Sequence, residues 1–142
     1  MEWQETKRIK KSTKNQRKIS FRNDFKGSWI SLYLDTSALV KLYINEPNRE
    51  QVMHAVKNAK VVASHKIGFV EVHATFARLQ RENRSTLKDL QITKDSFSND
   101  WKDYMQISIS DSLLQQAADF TEAFSSRAFD SVHLAAADDL QK

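Results

Sequence analysis

Beyond Gly27 the chain alternates short apolar runs of strand type with amphipathic helical stretches, and that alternation leaves few folds open. Strands separated by helical crossovers pair in parallel, with right-handed connections and helices on both faces of the sheet. "WISLYL" (29–34) is a continuous run, as a strand covered on both faces requires; "KVVAS" (60–64) is a second, and "MQISIS" (105–110) alternates as a third. Between them "SALVKLYIN" reads as a short helix that stops before Pro47, and this proline suits the first turn of the next helix, "PNREQVMHAVKNA", with Val52, Val56 and Ala59 as its inner stripe. "KIGFVEVHATFARLQREN" is a longer helix with Phe69, Val72 or His73, Phe76 and Leu79 spaced for burial.

The clearest periodicity belongs to Leu87, Leu90, Lys94, Phe97, Trp101 and Tyr104, which alternate steps of three and four along one helix face. That spacing favours core or dimer packing over an RNA-stacking platform. Two further helices follow, "SLLQQAADFTEAF" with Ser110 or Asp111 as its cap, and "RAFDSVHLAAADDLQ".

The length of 142 residues suits one domain with a real core. There is no cysteine, which excludes disulfides and thiolate metal sites and points to a reducing, cytoplasmic compartment. No apolar run approaches the roughly 18 residues of a membrane helix, and the N-terminus lacks the apolar core of a signal peptide. The charge is uneven. Residues 1–28 carry nine Lys or Arg, among them Lys7, Arg8, Lys10, Lys11, Lys14, Arg17 and Lys18, against three acids. With no sustained apolar period, this segment reads as a disordered basic arm, either a solvated leader or an electrostatic contact for RNA phosphates.

Three acids stand among apolar neighbours: Asp35 at the end of the first strand, Glu71 between Val70 and Val72, and Asp130 between Phe129 and Val132. In an open parallel sheet, ligands bind beyond the carboxyl ends of the strands, where Asp35 falls. A buried carboxylate needs a partner, and Lys66, Arg78, Arg81 or Arg127 could supply structural ion pairs. A shared cation is the other solution. Carboxylates without Cys or clustered His select hard ions, Mg²⁺ or Mn²⁺, which activate water against a phosphodiester. Without a metal such acids repel, by roughly 4 kcal/mol for a pair about 4 Å apart at an effective dielectric of 20. No His pair has zinc-ligand spacing; His54 and His65 read as surface or helix-edge residues, His73 lies beside an apolar stripe, and His133 follows Asp130 on one face and can orient it. A haloacid-dehalogenase-type phosphatase needs a second Asp two positions after the first, where this chain has Ser37.

"LYLDTSALVKLY", "FVEVHATFARL" and "RAFDSVHLAAA", in this order, resemble the three diagnostic blocks of PIN-domain ribonucleases, and are similar to the VapC toxins of toxin-antitoxin pairs. The resemblance covers about residues 30–140. It implies a PIN-like three-layer α/β/α fold over residues 29–142 and metal-dependent cleavage of RNA. Asp35, Glu71 and Asp130 would be the catalytic, Mg²⁺-binding or Mn²⁺-binding acids, with Ser37, Thr36 and His133 in support. It also implies a homodimer and a cognate antitoxin whose C-terminal segment lies across the active-site groove.

The chain departs from that family in one respect. PIN domains continue past the "HLAAA" helix into another parallel strand that ends on a further acid, and then a closing helix. This sequence ends at Lys142, and Asp138 and Asp139 belong to the preceding helix. The last strand and the fourth acidic position are therefore expected to be missing. Two outcomes follow: three acids suffice for a ribonuclease, or the chain is a weak or inactive relic that binds an antitoxin or another PIN chain.

Overall fold

The structure, a computed structural model, describes residues 30–142; the basic arm and its seven named cations lie outside the described residues. The described chain is mixed α/β. Its elements run β1 (Ser31–Tyr33), α1 (Thr36–Tyr43), α2 (Arg49–Asn58), β2 (Val61–His65), α3 (Ile67–Arg81), α4 (Leu87–Trp101), β3 (Met105–Ile107), α5 (Asp111–Phe124) and α6 (Ala128–Leu140).

The three strands form one parallel sheet in the order β1-β2-β3. Leu32 pairs with Val62, and Ser64 with Gln106, so among the described residues β2 is central and β1 and β3 are the edges. Helical crossovers join β1 to β2 and β2 to β3, which is what brings successive strands into parallel register. No helix among the described residues is long and apolar enough to cross a membrane.

Alternation along the strands divides the core in two. Leu32, Leu34 and Val62 face a large cluster built from Leu39, Leu42, Val56, Val72, Phe76, Leu90, Phe97 and Trp101 of α1 to α4, closed by Tyr104. Phe97 is fully buried and lies edge-on to Tyr43, at 5.3 Å between centroids, and to Phe76 at 6.1 Å. Burying one such side chain contributes roughly 1.5–3 kcal/mol, and this cluster holds more of the large buried side chains than the one on the opposite face. Tyr33 and Ile107 point to the opposite face, where Leu113, Ala117 and Phe120 of α5 meet Val132, Ala135 and Ala136 of α6. Helices thus cover both faces.

The helix ends are chemically specified. Thr86 Oγ1 accepts from Asp89 N at 3.1 Å and donates to Asp89 Oδ2 at 2.7 Å. Ser110, not Asp111, caps α5, its Oγ accepting from Leu113 N at 3.1 Å. Pro47 is not in a first helical turn. α2 begins two residues later, after Asn48 turns the chain in a left-handed conformation (φ 65°) that a short amide side chain tolerates. Arg49 then donates to the carbonyls of Lys41 (3.0 Å) and Leu42 (3.3 Å), satisfying the open C-terminal end of α1. Leu87 fits the helical period but is 70% exposed, because it is the first residue of α4 and precedes the part of the helix that reaches the core.

Candidate functional site

The β1 strand ends on Asp35 because the next residues must turn into a helix. Asp35 is the N-cap of α1: its Oδ1 accepts from Ala38 N at 2.8 Å and from Ser37 Oγ at 2.8 Å. An N-cap carboxylate answers one of the donors that a helix start leaves open, contributing about 1 kcal/mol. Asp35 is exposed, and its Oδ2 has no partner among the described residues.

Thr36, the first residue of α1, reaches across to α3. Its Oγ1 donates to Glu71 Oε2 at 2.5 Å. The same oxygen meets His133 Nε2 of α6 at 2.7 Å, and the Thr36 hydroxyl itself lies 3.2 Å from that nitrogen. One carboxylate oxygen of Glu71 therefore joins three helices, with partners 35 and 62 residues away in sequence. Glu71 is half-buried, and its Oε1 has no partner among the described residues.

Behind His133 the network continues into the sheet. Tyr33 Oη lies 2.7 Å from His133 Nδ1 and accepts from the His65 backbone N–H at 3.2 Å. Burial holds the Tyr33 phenol well above its usual range, with the nearby charges of Asp35 and Glu71 adding to the effect, so the group stays protonated and can donate. His65 ends β2 fully buried, its ring edge-on to that of His133 at 6.4 Å. Its Nδ1 accepts from Ile67 N at 3.0 Å, serving the open start of α3, while its Nε2 is buried with no partner among the described residues. Burial, then the neighbouring His133, pushes the His65 pKa down. Gly68 lets α3 approach closely here, since a Cβ at this position would lie 3.0 Å from Ser64 Oγ and 3.8 Å from His133 Cε1.

Several expectations are corrected by these positions. Asp35 and Asp130 are exposed, not embedded, because Asp35 is a helix cap and Asp130 sits in the first turn of α6 on its solvent side. The apolar residues flanking Asp130 in sequence do not enclose it, since Phe129 is itself exposed. None of Lys66, Arg78, Arg81 or Arg127 forms an ion pair with the three acids among the described residues; Arg78 pairs with Glu82 at 3.9 Å. His133 supports Glu71 rather than Asp130. His65 is not a surface residue. His54 is exposed as expected, bonded through its carbonyl to the Asn58 amide at 2.9 Å. His73 packs among Phe69, Phe76 and Phe97.

Two members of the network, Tyr33 and His65, carried no functional signal in the sequence. Tyr33 could have been found, because a phenol inside a strand covered on both faces must place its hydroxyl on a buried polar partner.

Chemically, the arrangement offers one half-buried carboxylate fixed by two donors, a capped carboxylate one residue away from Thr36, and a third acid one turn from His133. All the candidate donors are hard oxygens, and Mg²⁺ needs only one or two carboxylates beside its waters. Among the described residues, however, no three His, Asp or Glu side chains are grouped so as to hold one metal ion. No protein-family model matches the chain, and no curated protein matches it.

Proposed function

We propose that this chain is a PIN-type, VapC-like endoribonuclease that hydrolyses RNA phosphodiester bonds with Mg²⁺ or Mn²⁺ bound through Asp35, Glu71 and Asp130. A cognate antitoxin would silence it, and a homodimer would be its working form. One observation carries the reading: the three acid-bearing blocks meet at one place, where Thr36 of the first and His133 of the third both bond to Glu71 of the second. That place adjoins the carboxyl end of β1, where an open parallel sheet puts its ligands. Asp35 and Glu71 each keep one carboxylate oxygen without a partner among the described residues, which leaves them able to take a cation.

A second reading has its own support. The absence of a three-residue metal group among the described residues favours a catalytically weak PIN-fold relic that acts by binding an antitoxin or a second PIN chain.

Incubation of purified protein with structured and single-stranded RNA, in Mg²⁺, Mn²⁺ or chelator, separates the two. Cleavage that needs the metal and disappears in Asp35→Asn, Glu71→Gln and Asp130→Asn, all folded, supports the ribonuclease. A clean preparation that binds a partner protein but cuts no RNA under any of these conditions leaves the relic.

A further inference from the structure

The start of α3 rests on one imidazole. His65 is the last residue of β2, fully buried, and its Nδ1 accepts at 3.0 Å from the backbone N–H of Ile67, the first residue of α3. Lys66, at the N-cap of the same helix, makes no capping hydrogen bond with its side chain. A ring nitrogen that accepts carries no proton, so the neutral imidazole holds its hydrogen on Nε2. That atom is buried and has no hydrogen-bond partner among the described residues. A second proton can enter only at Nδ1, where it sets a donor against the Ile67 N–H and leaves an open helix donor buried without its acceptor.

The ionisable groups that face the ring do little to admit that charge. From α6 comes His133, edge-on at 6.4 Å and disfavouring a second positive ring. From β1 comes Tyr33, a phenol kept protonated by burial, whose Oη is occupied by the His65 backbone N–H. From α3 comes Glu71, which attracts the charge but whose Oε2 is already taken by Thr36 and His133. On β3 the residue in register is the apolar Ile107. Burial and His133 together outweigh Glu71, so the folded chain resists the proton more than the unfolded one.

We propose that His65 is a proton-operated latch on α3: a proton added at Nδ1 releases the Ile67 N–H and loosens the helical turn that leads to Glu71. Glu71 lies one turn beyond Ile67, so the same event slackens its bonds to Thr36 and His133 and parts the junction of α1, α3 and α6. The junction is closed above about pH 6.5, the ordinary histidine value, and opens as the pH falls below it. The latch acts on the fold rather than on a bound group, so it operates whether or not the chain cuts RNA.

The test is residue-resolved amide exchange on the full chain between pH 7.5 and 5, expressed as protection relative to the intrinsic rate at each pH. In wild type the Ile67 and Glu71 amides should be less protected than that of Phe97, and their protection should fall by roughly tenfold per pH unit below about pH 6.5. In His65→Asn, whose side-chain oxygen accepts from Ile67 N but takes no proton, their protection should stay level. His133 and the carboxylates are present in both proteins, so their own titration cancels in the comparison. Level protection in wild type overturns the latch, as does an equal decline in His65→Asn. Protection at Ile67 equal to that at Phe97 throughout also overturns it, because the turn then opens only when the whole molecule unfolds. A second measurement needs no variant: the imidazole nitrogen chemical shifts of His65 at pH 7.5 should report the Nε2–H tautomer, and an Nδ1–H tautomer overturns the latch where His65→Asn does not fold.

Discussion

His133 Nε2 lies 2.7 Å from Glu71 Oε2, so the histidine of α6 supports the acid of α3 and not the acid one turn back on its own helix. The consequence is a site with unequal members. Glu71 is held by two side chains, Asp35 by its own helix start, and Asp130 by no hydrogen bond among the described residues. Substitutions at the three should therefore differ in what they do to the fold.

Asp35 has a structural duty that can be separated from any chemical one. Asparagine caps a helix about as well as aspartate, so Asp35→Asn should leave the thermal midpoint near wild type, while Asp35→Ala should cost about 1 kcal/mol. Denaturant melts of both variants check this. A stability loss in Asp35→Ala together with unchanged metal-dependent RNA cleavage in Asp35→Asn would confine Asp35 to its structural role.

Asp130 should be nearly silent in stability. Carboxylate repulsion was the expectation for a packed three-acid cluster, but Asp130 is exposed in the first turn of α6 and no such cluster exists among the described residues. Asp130→Asn in chelator is therefore expected to change stability by no more than about 0.5 kcal/mol. If Asp130 binds the ion, Mg²⁺ should raise the wild-type melting temperature by mass action and raise that of the variant less. Equal Mg²⁺ shifts would remove Asp130 from the site.

Acidification should weaken the fold through His65. Its pKa lies below the ordinary value of 6.5, principally because the ring is buried, with the neighbouring His133 acting in the same direction and the Glu71 charge against it. The unfolded chain then binds the proton more readily than the folded one, so stability is full above about pH 6.5 and falls as the pH drops below it. Melting temperatures measured between pH 7.5 and 5 should decline in wild type by more than in His65→Asn, whose side-chain oxygen can still accept from Ile67 N. Identical slopes would place the pH sensitivity elsewhere.

The basic arm is testable by salt alone. If its nine cations contact RNA phosphates, binding by the full chain should fall more steeply with salt than binding by a chain that begins at Gly27, each neutralised phosphate of a single strand adding about 0.7 to the slope. Parallel slopes would make the segment a leader.

Much of the framework was legible in the sequence because it follows from period. The order of strands and helices and the inner stripes of α3 and, past Leu87, of α4 are written in residue spacing, whereas the choice between Ser110 and Asp111 as the cap of α5 was not. What spacing could not supply was depth. Flanking apolar residues made Asp35 and Asp130 look enclosed, yet a helix turns its neighbours to different sides, and Phe129 and Leu134 are themselves exposed. His65 was misread for the converse reason: it lies beside Lys66 in sequence but ends the central strand, where both faces are covered. The Tyr33 to His133 link spans 100 residues, and only the tertiary fold brings the two together.

The two sides of the sheet are also unequal in how firmly they are held. The layer that carries Asp130 and His133 rests on Leu113, Ala117, Ala135 and Ala136, whereas the layer that carries Glu71 rests on Phe76, Phe97, Trp101 and several leucines. Alanines leave little apolar surface to hide again once exposed, so α5 and α6 should open as a unit at a lower free energy than the whole molecule, with faster amide exchange than α3 and α4. In that half-open form the large core is intact, but Glu71 has lost its histidine. The meeting of the three blocks is then a population rather than a fixture, and whatever binds across it also closes the molecule.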